Sequence, residues 1–310
     1  MKRIPIREIE RLKAQLARAM ERFKPLDYIP PVDYIEDRFS IKLDPWQRLY
    51  ATTALERPRV AIAACRQSGK STVTSGFASW ILRTFPGSMV LVASKSLKQA
   101  AYFVEKIRMA LAVDFDGHFV EDNKHSLMAS NGSRVVAIPA GNPDAGRGFS
   151  PDLVILDEAA FAHENLLTVL SPSLAATNGA IHMISSPNGP VGLFYEAIEG
   201  KARSAYWSFR ITHEDCPRIT DDFLAAERMI MSQHQFDQEY LAKFIAPQGA
   251  FFGVSALQTL LEDREDTDYT EFQRDVQSIK RWDQVLGVRA EDMTAAFDRT
   301  DRVRRYLYDA

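Results

Sequence analysis

Cysteine is nearly missing: Cys65 and Cys216 are the two present in 310 residues. Two cannot make a disulfide framework, and a reducing setting is expected. Long apolar runs are missing too. "RVAIAAC" and "MVLVAS" fall far short of the roughly 20 residues that cross a bilayer, which excludes a helical membrane span from the expectation. The opening MKRIPIREIERLK lacks the apolar core of a secretory signal, so a cytoplasmic location is expected. An excess of basic charge is absent as well: 38 Lys and Arg stand against 41 Asp and Glu, a net of -3. Any contact with nucleic acid must then come from a local patch. Neither an internal repeat nor a low-complexity segment is present.

What is there is an ordinary globular composition, 46% hydrophobic and 25% charged, long enough for one large domain with an appendage or for two modest ones. Residues 5–24 read as a helix, because Ile9, Leu12, Leu16, Met20 and Phe23 recur at three- and four-residue steps. Its opposite face is rich in Arg and Lys; it either packs on its own domain or serves as a docking surface. "KPLDYIPPVDYIEDRF", with three prolines, reads as an extended linker.

From about residue 45 to 211 short apolar runs alternate with helical stretches. Strands are expected at Val60–Ala64, Met89–Ala93, Val135–Pro139, Leu153–Leu156, Ile181–Ser185 and Tyr206–Ile211. Helices are expected at Ser71–Arg83, Lys98–Leu111, Glu164–Leu174 and Leu193–Glu199. Near-continuous apolar strands separated by helices argue for an α/β fold with a mainly parallel central sheet flanked by helices. Its ligands belong at the carboxyl ends of the strands. Beyond residue 215 the reading is helical, with Asp221–Met231, Gln235–Phe244, a turn-rich break at "APQGAFFG" and a charged helical region after it. The expected organisation is an N-terminal helix and linker (1–39), a core (40–211), a helical subdomain (212–250) and a small helical C-terminal extension (251–310).

Three segments carry chemistry. "AACRQSGKSTV", residues 63–73, follows a strand and opens a helix, the context of a phosphate-binding loop. Helix-start N–H groups and the helix dipole favour phosphate; Lys70 would reach the β- and γ-phosphates and the Ser71 hydroxyl would hold Mg²⁺. The usual first glycine of that pattern is replaced by Ala64, and Gly-Lys-Ser alone is a weak signal. "PDLVILDEAAF" adds a buried strand ending in Asp157-Glu158. Adjacent carboxylates at a strand end are costly unless a cation or substrate uses them. Asp157 is placed near the metal and Glu158 near an attacking water, and with the loop they point to nucleotide hydrolysis by a P-loop NTPase. In "IHMISSPNG", Ser185, Ser186 and Asn188 either stand beside the phosphates or make a plain turn.

Together these motifs resemble the ATPase domain of the large terminase subunit, the motor that packages DNA into phage and herpesvirus capsids. That family's loop reads Arg-Gln-x-Gly-Lys-Ser/Thr, here Arg66-Gln67-Ser68-Gly69-Lys70-Ser71 followed by Thr72. "LDPWQRLY" resembles its adenine-recognition segment, with Gln47 reading the adenine edge and Trp46 or Tyr50 packing nearby. "AGRGFSPDLVILDEAAF" resembles the stretch into the acidic motif, and "SSPNG" the motif coupling hydrolysis to movement through Ser185, Ser186 and Asn188. The likeness covers roughly residues 40–250. It implies ATP and Mg²⁺ as cofactors and Arg66 against the γ-phosphate. It also implies Arg147 reaching a neighbouring subunit's site, or else held by a local carboxylate such as Asp144. Implied partners are double-stranded DNA bound without sequence preference, further copies in a ring, a portal protein and a small terminase subunit, with no membrane. The place is the host cytoplasm, transiently the procapsid portal.

The chain departs from the family where an RNase H-like nuclease would begin, near residue 250. "GAFFGVSALQTLLEDRED" offers no apolar strand bearing a metal-binding Asp, and nuclease activity is not expected. Candidate DNA-phosphate contacts are Lys95, Lys98, Lys106, Arg108, Lys201 and Arg203, though for any single one a plain surface charge is the favoured reading. The alternatives are a helicase-like or remodelling ATPase, and a degenerate, non-hydrolysing assembly scaffold.

Overall fold

The computed structural model of the chain describes residues 26–246. The readings made for residues 5–24 and 251–310 lie outside the described residues. Among the described residues, eight strands form one sheet: β1 (Arg59–Ala64), β2 (Met89–Ser94), β3 (Phe119–Asp122), β4 (Ser126–Ala129), β5 (Arg134–Pro139), β6 (Leu153–Asp157), β7 (Ala180–Ser185) and β8 (Trp207–Ile211). Their order is β3-β4-β5-β2-β6-β7-β1-β8. From β5 to β8 every neighbouring pair is parallel, and β3 and β4 add an antiparallel edge. The α/β fold with a mainly parallel sheet is therefore as read, and the apolar runs are its strands.

Alternate residues of β1 show how the sheet is covered. Val60, Ile62 and Ala64 face a core that holds Phe77 and Trp80 of α3 (Lys70–Thr84) and Val104 and Ile107 of α4 (Leu97–Asp114). Ala61 and Ala63 face the other layer, with Leu166 and Leu170 of α5 (Leu166–Thr177) and Phe194 of α6 (Gly192–Ile198). Period-two alternation thus serves two buried faces at once, which is why the strands read as continuous apolar runs.

One expectation fails and one hairpin was not anticipated. The segment read as an extended linker contains a helix, Pro31–Phe39. Pro31 stands in its first turn, where a missing N–H costs nothing and a fixed φ is already helical; Val32, Tyr34 and Ile35 are buried. This helix lies against α3 so closely that a Cβ on Gly76 would come within 2.8 Å of Ile35 Cγ2. Its Tyr34 hydroxyl donates to Asp114 Oδ2 at 2.9 Å, and Asp114, 2% exposed, also takes Arg38 at 2.7 Å and Arg83 at 2.9 Å. A second helix, Pro45–Thr53, precedes β1. The other miss is the hairpin of β3 and β4: its strands are four residues each, too short to show a period. Asn123 closes its turn by accepting from the N–H groups of His125 and Ser126, each at 2.9 Å.

After β8, helices Asp221–Ile230 and Gln233–Tyr240 pack on one another through Leu224, Phe236 and Tyr240. In chain order the helices at 31–39, 45–53, 221–230 and 233–240 are α1, α2, α7 and α8.

Candidate nucleotide site

Strands β6, β7 and β1 are adjacent and parallel, and they end at one level: Asp157 is in register with Ile184, and Ser185 with Ala63. The chemistry-bearing residues at their carboxyl ends are brought together by that register. The loop after β1 turns twice through positive φ, at Gln67 (58°) and Gly69 (80°). Glycine is required at the second point, because a Cβ there would lie 2.6 Å from Gln47 Nε2. Ala64 is fully buried in the core, a place where glycine would only leave a gap.

The Ser68 carbonyl is held from behind. It accepts from Gln47 Nε2 at 3.0 Å and from Arg218 Nη2 at 3.1 Å. Gln47, 1% exposed, is itself fixed by the Asp44 N–H donating to its Oε1 at 2.9 Å. Arg218 pairs with Asp44 at 2.6 Å. Both amide atoms of Gln47 thus touch protein, and Tyr50 is wholly in the core with its hydroxyl 3.0 Å from His182 Nδ1. Trp46 is buried too, and among the described residues its Nε1 has no partner.

On the phosphate side, the Ser71 hydroxyl donates to Asp157 Oδ1 at 2.9 Å. Lys70 Nζ donates to Ser186 Oγ at 3.2 Å and lies 3.5 Å from Glu158 Oε1. Ser185 Oγ stands 3.1 Å from Glu158 Oε2 and 2.8 Å from the Ser186 carbonyl. Loop, acidic pair and serine pair are therefore one hydrogen-bonded cluster. Asp157 is 8% exposed; burial first, then the neighbouring Glu158, holds its carboxyl above the ordinary carboxylate range, against Ser71, Lys70 and Lys106. Glu158 takes φ of 57°, a left-handed turn just past the end of the strand.

The donor set suits Mg²⁺. A hydroxyl and a buried carboxylate in mutual contact are hard oxygen ligands. Mg²⁺ keeps several waters and takes substrate phosphates as ligands, so one or two protein oxygens are enough to hold it.

Not every predicted residue joins the cluster. Gln67 and Asn188 are exposed. Arg66 is 63% exposed and forms an ion pair with Glu239 at 2.8 Å, while its N–H donates to the Glu239 carbonyl at 2.8 Å. Arg147 is 70% exposed and pairs with Asp144 at 2.6 Å. Lys106, read as a DNA contact or a surface charge, instead donates to Thr72 Oγ1 at 3.3 Å, and burial pushes its pKa down. Lys95 lies over the Phe161 ring and Arg108 is paired with Asp122 and Glu105. The sequence reading missed Asp44, Arg218 and Glu239. For Asp44 a signal existed: Asp-Pro-x-Gln is a helix start. Arg218 and Glu239 stand far along the chain, and nothing local marks them.

The family model described as "Terminase large subunit, T4likevirus-type, N-terminal" matches residues 61–259. The chain belongs to the terminase large subunit family. Terminase large subunits similar to it include that of Thermus virus P23-45, 27% identical over 239 residues, covering 65% of this chain and 49% of the relative. That of Escherichia phage T5 is 28% identical over 212 residues, covering 64% and 47%. The chain spans about half the length of the curated relatives it matches. Among solved structures, the large terminase ATPase domain of Thermus phage P74-26 superposes with a TM-score of 0.59 at 24% identity, covering 70% of this chain and all of that one. The HK97 bacteriophage large terminase gives 0.55 at 16%, covering 69% and 55%. These establish the P-loop NTPase fold of the terminase ATPase domains.

Proposed function

We propose that this terminase chain is the ATP-hydrolysing motor of viral DNA packaging, translocating double-stranded DNA into a procapsid. The carrying observation is the cluster of Lys70, Ser71, Asp157, Glu158, Ser185 and Ser186 at the ends of three adjacent strands. In this reading Lys70 leaves Ser186 and Glu158 for the β- and γ-phosphates, and Ser71 and Asp157 hold Mg²⁺. The ion would neutralise charge on the phosphate oxygens. Glu158, no longer paired with Lys70, orients the attacking water. Ser185 bonds Glu158, so a shift of that carboxylate is passed to the turn carrying Ser186 and Asn188. Gln47 takes the adenine edge while bracing Ser68, and Gln67, Ser68, Gly69 and Thr72 complete the nucleotide site. Arg66 reaches the γ-phosphate by exchanging its Glu239 partner for phosphate. Arg147, whose exposed i,i+3 pair with Asp144 is weak, can leave it to enter a neighbouring subunit's site at little cost.

The same reading places the chain in a ring on the portal in the host cytoplasm, with a small terminase subunit, gripping DNA by salt-sensitive, sequence-indifferent contacts. The test is ATP turnover with Mg²⁺ and DNA. Glu158→Gln is expected to lose at least about 100-fold in turnover with ATP affinity within a few fold. Equal turnover in the variant would remove Glu158 from catalysis. No turnover by the wild-type chain would replace the motor with a non-hydrolysing scaffold.

A further inference from the structure

Lys106 sits on α4 in the same stripe as Tyr102, Met109 and Val113, which are 60%, 67% and 62% exposed. A lysine in such a stripe ordinarily carries its ammonium out to water. Lys106 does the reverse: it is half-buried and turns inward to Thr72 Oγ1, the residue after Ser71. Thr72 follows Ser71, whose hydroxyl donates to Asp157 Oδ1 at 2.9 Å, so the ammonium is drawn in beside the loop residue that holds Asp157, and the charge of that carboxylate offsets part of the cost of its burial. The site thus holds two carboxylates and two lysines, divided between them. Lys70 lies against Glu158, and Lys106 serves the more deeply buried Asp157.

We infer that Lys106 is a resident counter-cation for Asp157, a positioning residue that balances the metal-binding carboxylate until a divalent ion arrives and that sets how tightly the ion is then held. The inference rests on the nucleotide-site reading above. When Mg²⁺ joins Ser71 and Asp157, Lys106 becomes a like charge beside it. Part of the ion's attraction for Asp157 is cancelled by that repulsion, and Lys106 has reason to leave Thr72. Lysine therefore weakens divalent binding and stabilises the site without metal, so that the loop and acidic pair keep their arrangement between nucleotides.

The experiment uses the full chain and mant-ADP, with its dissociation constant measured by fluorescence in Mg²⁺ and in EDTA. The ratio of the two constants reports how strongly metal and nucleotide favour each other. Removing a like charge near the ion is worth about tenfold at the intermediate dielectric of a half-buried site. Lys106→Met is expected to raise the ratio by about tenfold and to melt at a lower temperature in EDTA. Lys106→Arg, which keeps the charge, is expected to keep the wild-type ratio, so that a general packing defect, which would affect both variants, is told apart. A ratio in Lys106→Met that is unchanged or lower overturns the role of Lys106 while leaving the nucleotide site standing. A wild-type chain that binds no mant-ADP under either condition overturns both.

Discussion

His182 gives the stability of this fold a pH dependence that can be worked out in advance. It lies on β7, fully buried, with Nδ1 3.0 Å from the Tyr50 hydroxyl and Nε2 3.3 Å from the Arg57 carbonyl. Phe77 lies beside it, ring centroids 5.7 Å apart. Burial pushes its pKa down from 6.5 to about 4. The unfolded chain therefore takes up a proton at higher pH than the folded one. The stability from keeping this ring neutral is complete above about pH 6.5 and is lost as pH falls from there toward 4. At about 1.4 kcal/mol per unit, the loss between pH 7 and pH 5 is about 2 kcal/mol. Urea unfolding at the two pH values, in wild-type and in His182→Asn, isolates this group. Asn retains a polar atom for Tyr50 but cannot be protonated. The wild-type chain is expected to lose about 2 kcal/mol more than the variant on acidification. Equal losses would show that the ring is not held neutral by its burial on β7.

Asp114→Ala strands Arg83, Arg38 and the Tyr34 hydroxyl around a nearly inaccessible site, and should cost about 3–5 kcal/mol in urea unfolding. Asp144→Ala breaks an exposed pair and should cost less than about 1 kcal/mol; similar costs would refute the distinction. Gly76→Ala improves helix propensity yet drives a methyl into Ile35, and a net loss of about 1–3 kcal/mol is expected. Trimming Ile35 to Ala removes both Cγ atoms that the methyl meets and should make the cost of Gly76→Ala smaller, and additivity of the two changes would count against the close contact. Cys65 and Cys216 have sulfurs 3.9 Å apart, so a diazene thiol oxidant, itself reduced to the hydrazine, should join them within one chain. Mass spectrometry would read the loss of two hydrogens, and two free thiols after treatment and unfolding would refute the contact.

Much of the sheet was legible because buried parallel strands must be apolar throughout, and the runs around Val60, Met89, Val135, Leu153 and Ile181 satisfy that rule. Pro31 misled because proline both breaks and begins helices, and the sign depends on whether the residues after it find a core. That Lys70, Ser71, Asp157 and Glu158 would cluster was legible, since two strands that run into Gly-Lys-Ser and Asp-Glu bring those side chains to one end of a parallel sheet. Lys106 was not, because a lysine on an amphipathic helix looks the same whether its ammonium faces water or a carboxylate. The partners of Arg66 and of the Ser68 carbonyl, Glu239 and Arg218, are fixed by chain reversals between residues 212 and 240 that no local pattern encodes.

Those reversals tie the phosphate loop to one stretch of chain at three points. The Cys65 N–H donates to the Ile211 carbonyl, Arg218 to the Ser68 carbonyl, and the Arg66 N–H to the Glu239 carbonyl. A pull on residues 211–240 therefore strains the loop directly, with no intervening relay. If that tension lowers nucleotide affinity, then by linkage nucleotide must resist the displacement by the same free energy. Load applied to this segment would be read at the site as an effective change in nucleotide concentration, which makes the loop a strain gauge as well as a binding site.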